Sequence, residues 1–162
     1  MELKLPLPPN RTYEQIRNHY EVEKAIAQRL KSANREERKK IYAGMYDELF
    51  AKVPDHPRLM RRENEADTRH ANRTKFALTR TEIHKSTVFG EFAPGDCRFV
   101  MEVAPHVKQA IGIDISDQRN PADPVPENFK LIVYDGYNLD EIPDNTLDIL
   151  FSDQLIEHFH PE

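Results

Sequence analysis

The sequence predicts an α/β protein: an N-terminal helical segment followed by a parallel β-sheet. Three observations carry this prediction. The first half repeats apolar residues at helical spacing, and the second half holds four short runs rich in Val, Ile, Leu and Phe. The span between the first two runs is long enough to return the chain in the same direction, as a parallel sheet requires.

The elements follow in chain order. Pro6, Pro8 and Pro9 block regular helix in residues 1–10 and give an extended lead-in. Tyr13, Ile16, Tyr20, Ala27 and Leu30 then recur at spacings of three, four and seven, the face of an amphipathic helix. Ser32 or Asn34 can cap a second helix, because Arg35-Glu36-Glu37 places carboxylates beside the positive end of its dipole. Its buried stripe is expected at Ile41, Met45 and Leu49, with Tyr42 beside them. Val53-Pro54-Asp55-His56-Pro57 ends that helix, since proline donates no amide hydrogen bond and disfavours helix in the residue before it. The polar residues 58–75 are compatible with helix but carry few apolar anchors.

The expected strands are residues 87–93, 110–116, 129–134 and 147–152. Runs apolar on both faces are characteristic of interior strands of a parallel sheet. Residues 97–107 supply a crossover helix between the first two, of right-handed connection. Residues 117–128 contain three prolines and are expected to form a loop. The helical extension is placed at residues 1–80 and the α/β domain at 81–162, with the boundary within residues 75–85.

Bulk properties narrow the function classes. A net charge of -5, with acids and bases intermixed, creates no field that recruits nucleic acid or an anionic membrane. Neither partner class is expected. The single cysteine, Cys97, has no partner for an internal disulfide, which fits a reducing, cytoplasmic setting. The N-terminus has no apolar run of signal-peptide length, and no stretch is apolar enough for a membrane span.

The chemistry is expected where the strands end. Glu91-Phe92-Ala93-Pro94-Gly95-Asp96-Cys97 lies between a strand and a helix, and small residues at Ala93 and Gly95 let a ligand approach the backbone. A dinucleotide fingerprint would want its outer glycines where Ala93 and Arg98 stand, which disfavours a pyrophosphate-binding loop. In Gly112-Ile113-Asp114-Ile115-Ser116, Asp114 follows Gly95 by 19 residues, near the separation of about 20 at which an acid reaches ribose hydroxyls from the neighbouring strand. Tyr134-Asp135-Gly136 and Ser152-Asp153-Gln154 close the third and fourth strands. All four sets fall at one carboxyl edge, where open α/β sheets bind ligands.

Together the series EFAPGDC, GIDIS, YDG and LDILFSDQLIEHFHPE resembles the successive motifs of class I S-adenosylmethionine-dependent methyltransferases, of the methyltransferase type 11-like kind. The resemblance covers residues 88–162, and residues 20–57 resemble the N-terminal extension of some bacterial members. It implies a Rossmann-like sheet, of which the chain holds the first four strands, and S-adenosyl-L-methionine as cofactor. By the same resemblance Glu91, Ala93, Gly95 and Cys97 match the loop beneath the methionine part of the cofactor. Asp114 matches the ribose-binding acid, Ile115 the apolar neighbour of the adenine, and Asp135 with Gly136 the pair near its amino group. Ser152, Asp153 and Gln154 match the loop facing the sulfonium and the methyl acceptor. Ala93 and Cys97 depart from the family's usual glycines, and alanine resists a positive φ. The family sheet has seven strands, so the expectation is an incomplete version of a longer protein, with the fourth strand an open edge.

Blander roles stand beside these. Asp114 can simply end a strand, and Cys97 has no base beside it and suits a small packed residue. His158 can act as a general base near the acceptor, an unidentified small molecule, or can be a surface or cap histidine. The Glu157, His158, His160 and Glu162 cluster lacks the spacing of a zinc site, so no metal is expected. His56, His70 and His84 are expected to be scattered and solvated. The alternatives to methyl transfer are a non-catalytic Rossmann-like interaction module and an NAD- or nucleotide-sugar-binding protein.

Overall fold

A computed structural model describes residues 7–158, apart from the side chain of Glu157. His160 and Glu162, and the Glu157 carboxylate, therefore lie outside the described residues. The chain divides into two compact units between Thr68 and Arg69. That division falls inside a helix and ahead of residues 75–85, because Asn72 and Phe76 already anchor in the second unit: Asn72 Nδ2 donates to Glu102 at 2.6 Å, and Phe76 packs on the sheet core.

The first unit contains α1 (Tyr13–Ser32), α2 (Arg35–Lys52) and α3 (Pro57–Glu63). Thr12 and Asn34 cap α1 and α2 through reciprocal bonds with Gln15 and Glu37, each satisfying two amide donors that a helix start leaves open. Ile26, Leu49 and Val53 are buried together, with Val22, Leu30 and Met45 against them. The buried face of α1 is therefore Val22, Ile26 and Leu30. Tyr13, Tyr20 and Ala27, expected inside, are exposed. Both stripes satisfy helical spacing, and packing on α2 selects between them.

His56 corrects a second expectation: it is buried, at 7% exposure. Its ring meets His19 at 4.5 Å and Phe50 at 5.2 Å between centroids. Its Nδ1 accepts the Arg58 amide at 3.1 Å and so caps α3.

The second unit begins within α4 (Glu65–Thr79) and continues through β1 (Val88–Phe92), α5 (Arg98–Val103), β2 (Gln109–Asp114), β3 (Phe129–Val133) and β4 (Ile149–Ser152). The four strands are all parallel, in the order β3-β2-β1-β4, which is a Rossmann-like arrangement. The inner strands β1 and β2 are covered on both faces, whereas the outer strands expose Lys130, Val133, Leu150 and Ser152. Phe89, Phe99, Val100, Val103 and Ala110 are buried on one side, and Ile111, Ile113 and Ile132 on the other, which is why β1 and β2 read as continuous apolar runs. The expected crossover helix shortens to α5 followed by a 3-10 turn at Ala104–His106, and residues 117–128 form the expected loop. β4 is an outer strand, with Leu150 60% exposed. Among the described residues no helix is long and apolar enough to cross a membrane.

Candidate functional site

Because the strands are parallel, their carboxyl ends form one edge. β1 has β2 on one side and β4 on the other, so the strand order reverses beside it, and open α/β sheets bind ligands in the crevice at such a reversal.

The loop leaving β1 is bent by three left-handed residues: Ala93 at φ 57°, Gly95 at φ 61° and Cys97 at φ 61°. An L-residue pays roughly 1–2 kcal/mol for that conformation, so two non-glycine residues there need fastening from outside. β2 supplies it. The Ala93 amide donates to the Ile113 carbonyl at 2.7 Å, and the Gly95 amide donates to Asp114 Oδ2 at 3.1 Å. Asp114 Oδ1 accepts the Ile115 amide at 2.7 Å. Asp114 is 6% exposed, so it braces the loop from within.

Cys97 sits at the start of α5, fully buried, with Sγ 3.8 Å from the Gly95 carbonyl. Burial, and the acids Asp114 and Glu91, push its thiol pKa up. It stays protonated at neutral pH and packs as a small apolar residue.

Glu91 is 1% exposed near the carboxyl end of β1. Burial raises its pKa from the ordinary 4.5 to about 7, opposed by Lys75, whose Nζ lies 3.3 Å from Oε1. A hydrogen bond from the Val100 backbone to the same carboxylate also opposes the rise. Lys75 comes from α4 and also lies 3.6 Å from Asp153 Oδ2, one residue beyond β4. Nothing in the periodicity of residues 58–75 signalled this lysine. Ser116 is the other residue missed: its Oγ is buried and has no hydrogen-bond partner, two positions after Asp114. It stands within the quoted GIDIS motif, and only its unmet hydroxyl distinguishes it.

The remaining positions are placed as follows. Asp135 Oδ1 accepts the amides of Tyr137 at 2.9 Å and Asn138 at 2.8 Å, a tight turn completed by Gly136 at φ 86°. Ile115 is half-buried. Ser152, Asp153 and Gln154 are exposed beyond β4, with Gln154 at φ 56°. His158 is exposed in a 3-10 turn at Ile156–His158, its amide bonded to the Leu155 carbonyl.

In the first unit His19, Glu23 and His56 bring their donor atoms within 4.8 Å of one another. Both rings are set against metal ligation. Nδ1 of His19 faces Arg11 Nη1 at 3.1 Å, and Nδ1 of His56 accepts the Arg58 amide. Arginine and amide groups only donate, so each neutral ring carries its proton on Nε2, the atom that faces Glu23. A metal at Nε2 would need that proton removed, and a metal at Nδ1 would have to displace the arginine or amide donor. Compared with known protein families, curated proteins and solved structures, the chain matches none of them.

Proposed function

We propose that the Rossmann-like unit binds S-adenosyl-L-methionine at the carboxyl edge of β1, β2 and β4 and transfers its methyl group to a small-molecule acceptor. The observation that carries this reading is the loop of residues 93–97, held in left-handed geometry at the strand reversal by the Gly95 to Asp114 bond. A Cβ built on Gly95 meets nothing within 4 Å, so open space borders the backbone there. The unpartnered Ser116 Oγ offers a polar group of the kind a nucleoside with an amino-acid tail would use.

The bound cofactor would supply a methyl group activated on a sulfonium. The chain's own residues would position it: the loop beneath the tail, and the end of β2 beside the sugar. Aligning acceptor and methyl supplies most of the rate enhancement in such a transfer. Exposed His158 is the proposed base where the acceptor must lose a proton. A cytoplasmic setting fits the buried, protonated Cys97.

The near-complete burial of Asp114 favours a second reading, in which the acid serves the fold alone and the domain is a non-catalytic module. Calorimetric titration with S-adenosylmethionine and with NAD separates these. Binding of the first and not the second, weakened at least tenfold in Ser116→Ala, supports methyl transfer; no binding of S-adenosylmethionine defeats it.

A further inference from the structure

We infer that the space around Lys75 Nζ is a receptor for the positive group of an organic cation, and that Lys75 fills it until such a ligand arrives. Four groups surround the ammonium. Glu91 Oε1 lies at 3.3 Å and Asp153 Oδ2 at 3.6 Å. The ring centroids of Phe99 and Phe151 lie at 5.3 Å and 5.8 Å.

Carboxylates and aromatic faces attract compact cations by charge, without requiring N–H donors, so an ammonium or a sulfonium suits the same box. The walls stand on the sheet and its first helix: Glu91 and Phe151 are register partners on β1 and β4, and Phe99 lies in the first turn of α5. The occupant is different in kind. Lys75 is a flexible four-carbon stem from α4, 23% exposed, which can swing to solvent while the walls stay. The box also lies beside the strand reversal, where open α/β sheets bind ligands.

The expectation of a sulfonium ligand rests on the proposed function; the box itself does not. In the full chain, Lys75→Met should bind tetramethylammonium and S-adenosylmethionine about tenfold more tightly than the unsubstituted protein. Neutral 5′-methylthioadenosine should change less than about twofold, and Lys75→Arg should behave as the unsubstituted protein. Equal changes for the charged and neutral nucleosides, or weaker binding of S-adenosylmethionine by Lys75→Met, would overturn the inference. Should Lys75→Met not fold, the unsubstituted protein decides: saturating tetramethylammonium should raise the acetylation rate of Lys75 several-fold, and an unchanged rate refutes the displacement. A gain for tetramethylammonium with no nucleoside bound would keep the box and discard the methyl-donor reading.

Discussion

The amide of Gly95 donates to Asp114 Oδ2 at 3.1 Å across 19 residues, fastening the loop after β1 to the last residue of β2. The other carboxylate oxygen holds the Ile115 amide, so one side chain sets the path of the chain out of two adjacent strands. The shape of the candidate site depends on this pair before any ligand is considered.

Asp114→Asn should therefore destabilise the second unit. The substitution keeps one acceptor oxygen and turns an NH2 group toward the other amide, opposing two donors. A charge-assisted bond of this kind contributes about 1.5–3 kcal/mol, and a stranded buried donor costs a similar amount. Urea unfolding should show a loss of about 2–3 kcal/mol, with loop amides 93–97 losing exchange protection. Unchanged protection there would mean that Asp114 does not brace the loop.

Ala93→Gly should act in the opposite direction. Ala93 is held at φ 57° by its bond to Ile113, and glycine adopts that conformation without steric cost. Relief of roughly 1–2 kcal/mol of left-handed strain exceeds the roughly 0.5–1 kcal/mol of added chain entropy. The expected outcome is a gain of about 0.5–1 kcal/mol, read as a higher melting temperature. A lower melting temperature would show that the Ala93 methyl packs favourably enough to outweigh its backbone.

All four apolar runs became strands; β1 and β2 were legible because strands covered on both faces leave a periodicity-free apolar run, and β3 and β4 by their short Ile- and Leu-rich runs. Helix starts were legible where capping is local, as at Asn34 with Glu37. The inward face of α1 was legible only in part: Leu30 packs inward as expected, but Val22 and Ile26 replace Tyr13, Tyr20 and Ala27, since both stripes keep helical spacing and contacts with α2 decide between them. His56 looked solvated among polar neighbours, yet His19 and Phe50 bury it from distant positions in the chain. The site residues were placed at one edge by strand direction alone. The contacts of Lys75 and the backbone duties of Asp114 were not, since both are tertiary hydrogen-bond or charge relationships with no spacing rule.

Glu91 should give stability an unusual acid preference. Its folded pKa of about 7 lies above the ordinary 4.5. Below about 4.5 the folded and unfolded chains are both protonated; between the two values the unfolded chain releases a proton that the folded chain keeps. Its contribution is therefore present at low pH and lost as pH rises through about 7, a change on the order of 3 kcal/mol. Glu91→Gln should flatten this part of the unfolding profile, and an unaltered slope would mean that Lys75 keeps the carboxylate ionised throughout.

His56 makes the contrary prediction in the first unit. Burial lowers its pKa from 6.5 to about 4, with the His19 ring adding to the effect and Glu23 opposing it. The folded ring is neutral and accepts the Arg58 amide, so its contribution is present above 6.5 and lost as pH falls toward 4. The loss is on the order of 3 kcal/mol. Protonation would also turn Nδ1 from acceptor to donor against that amide, opening the first turn of α3. Asparagine caps helices without titrating, so His56→Asn should keep amide protection in α3 between pH 4 and 6 while the unsubstituted chain loses it. Equal loss in both chains would place the acid-sensitive group elsewhere.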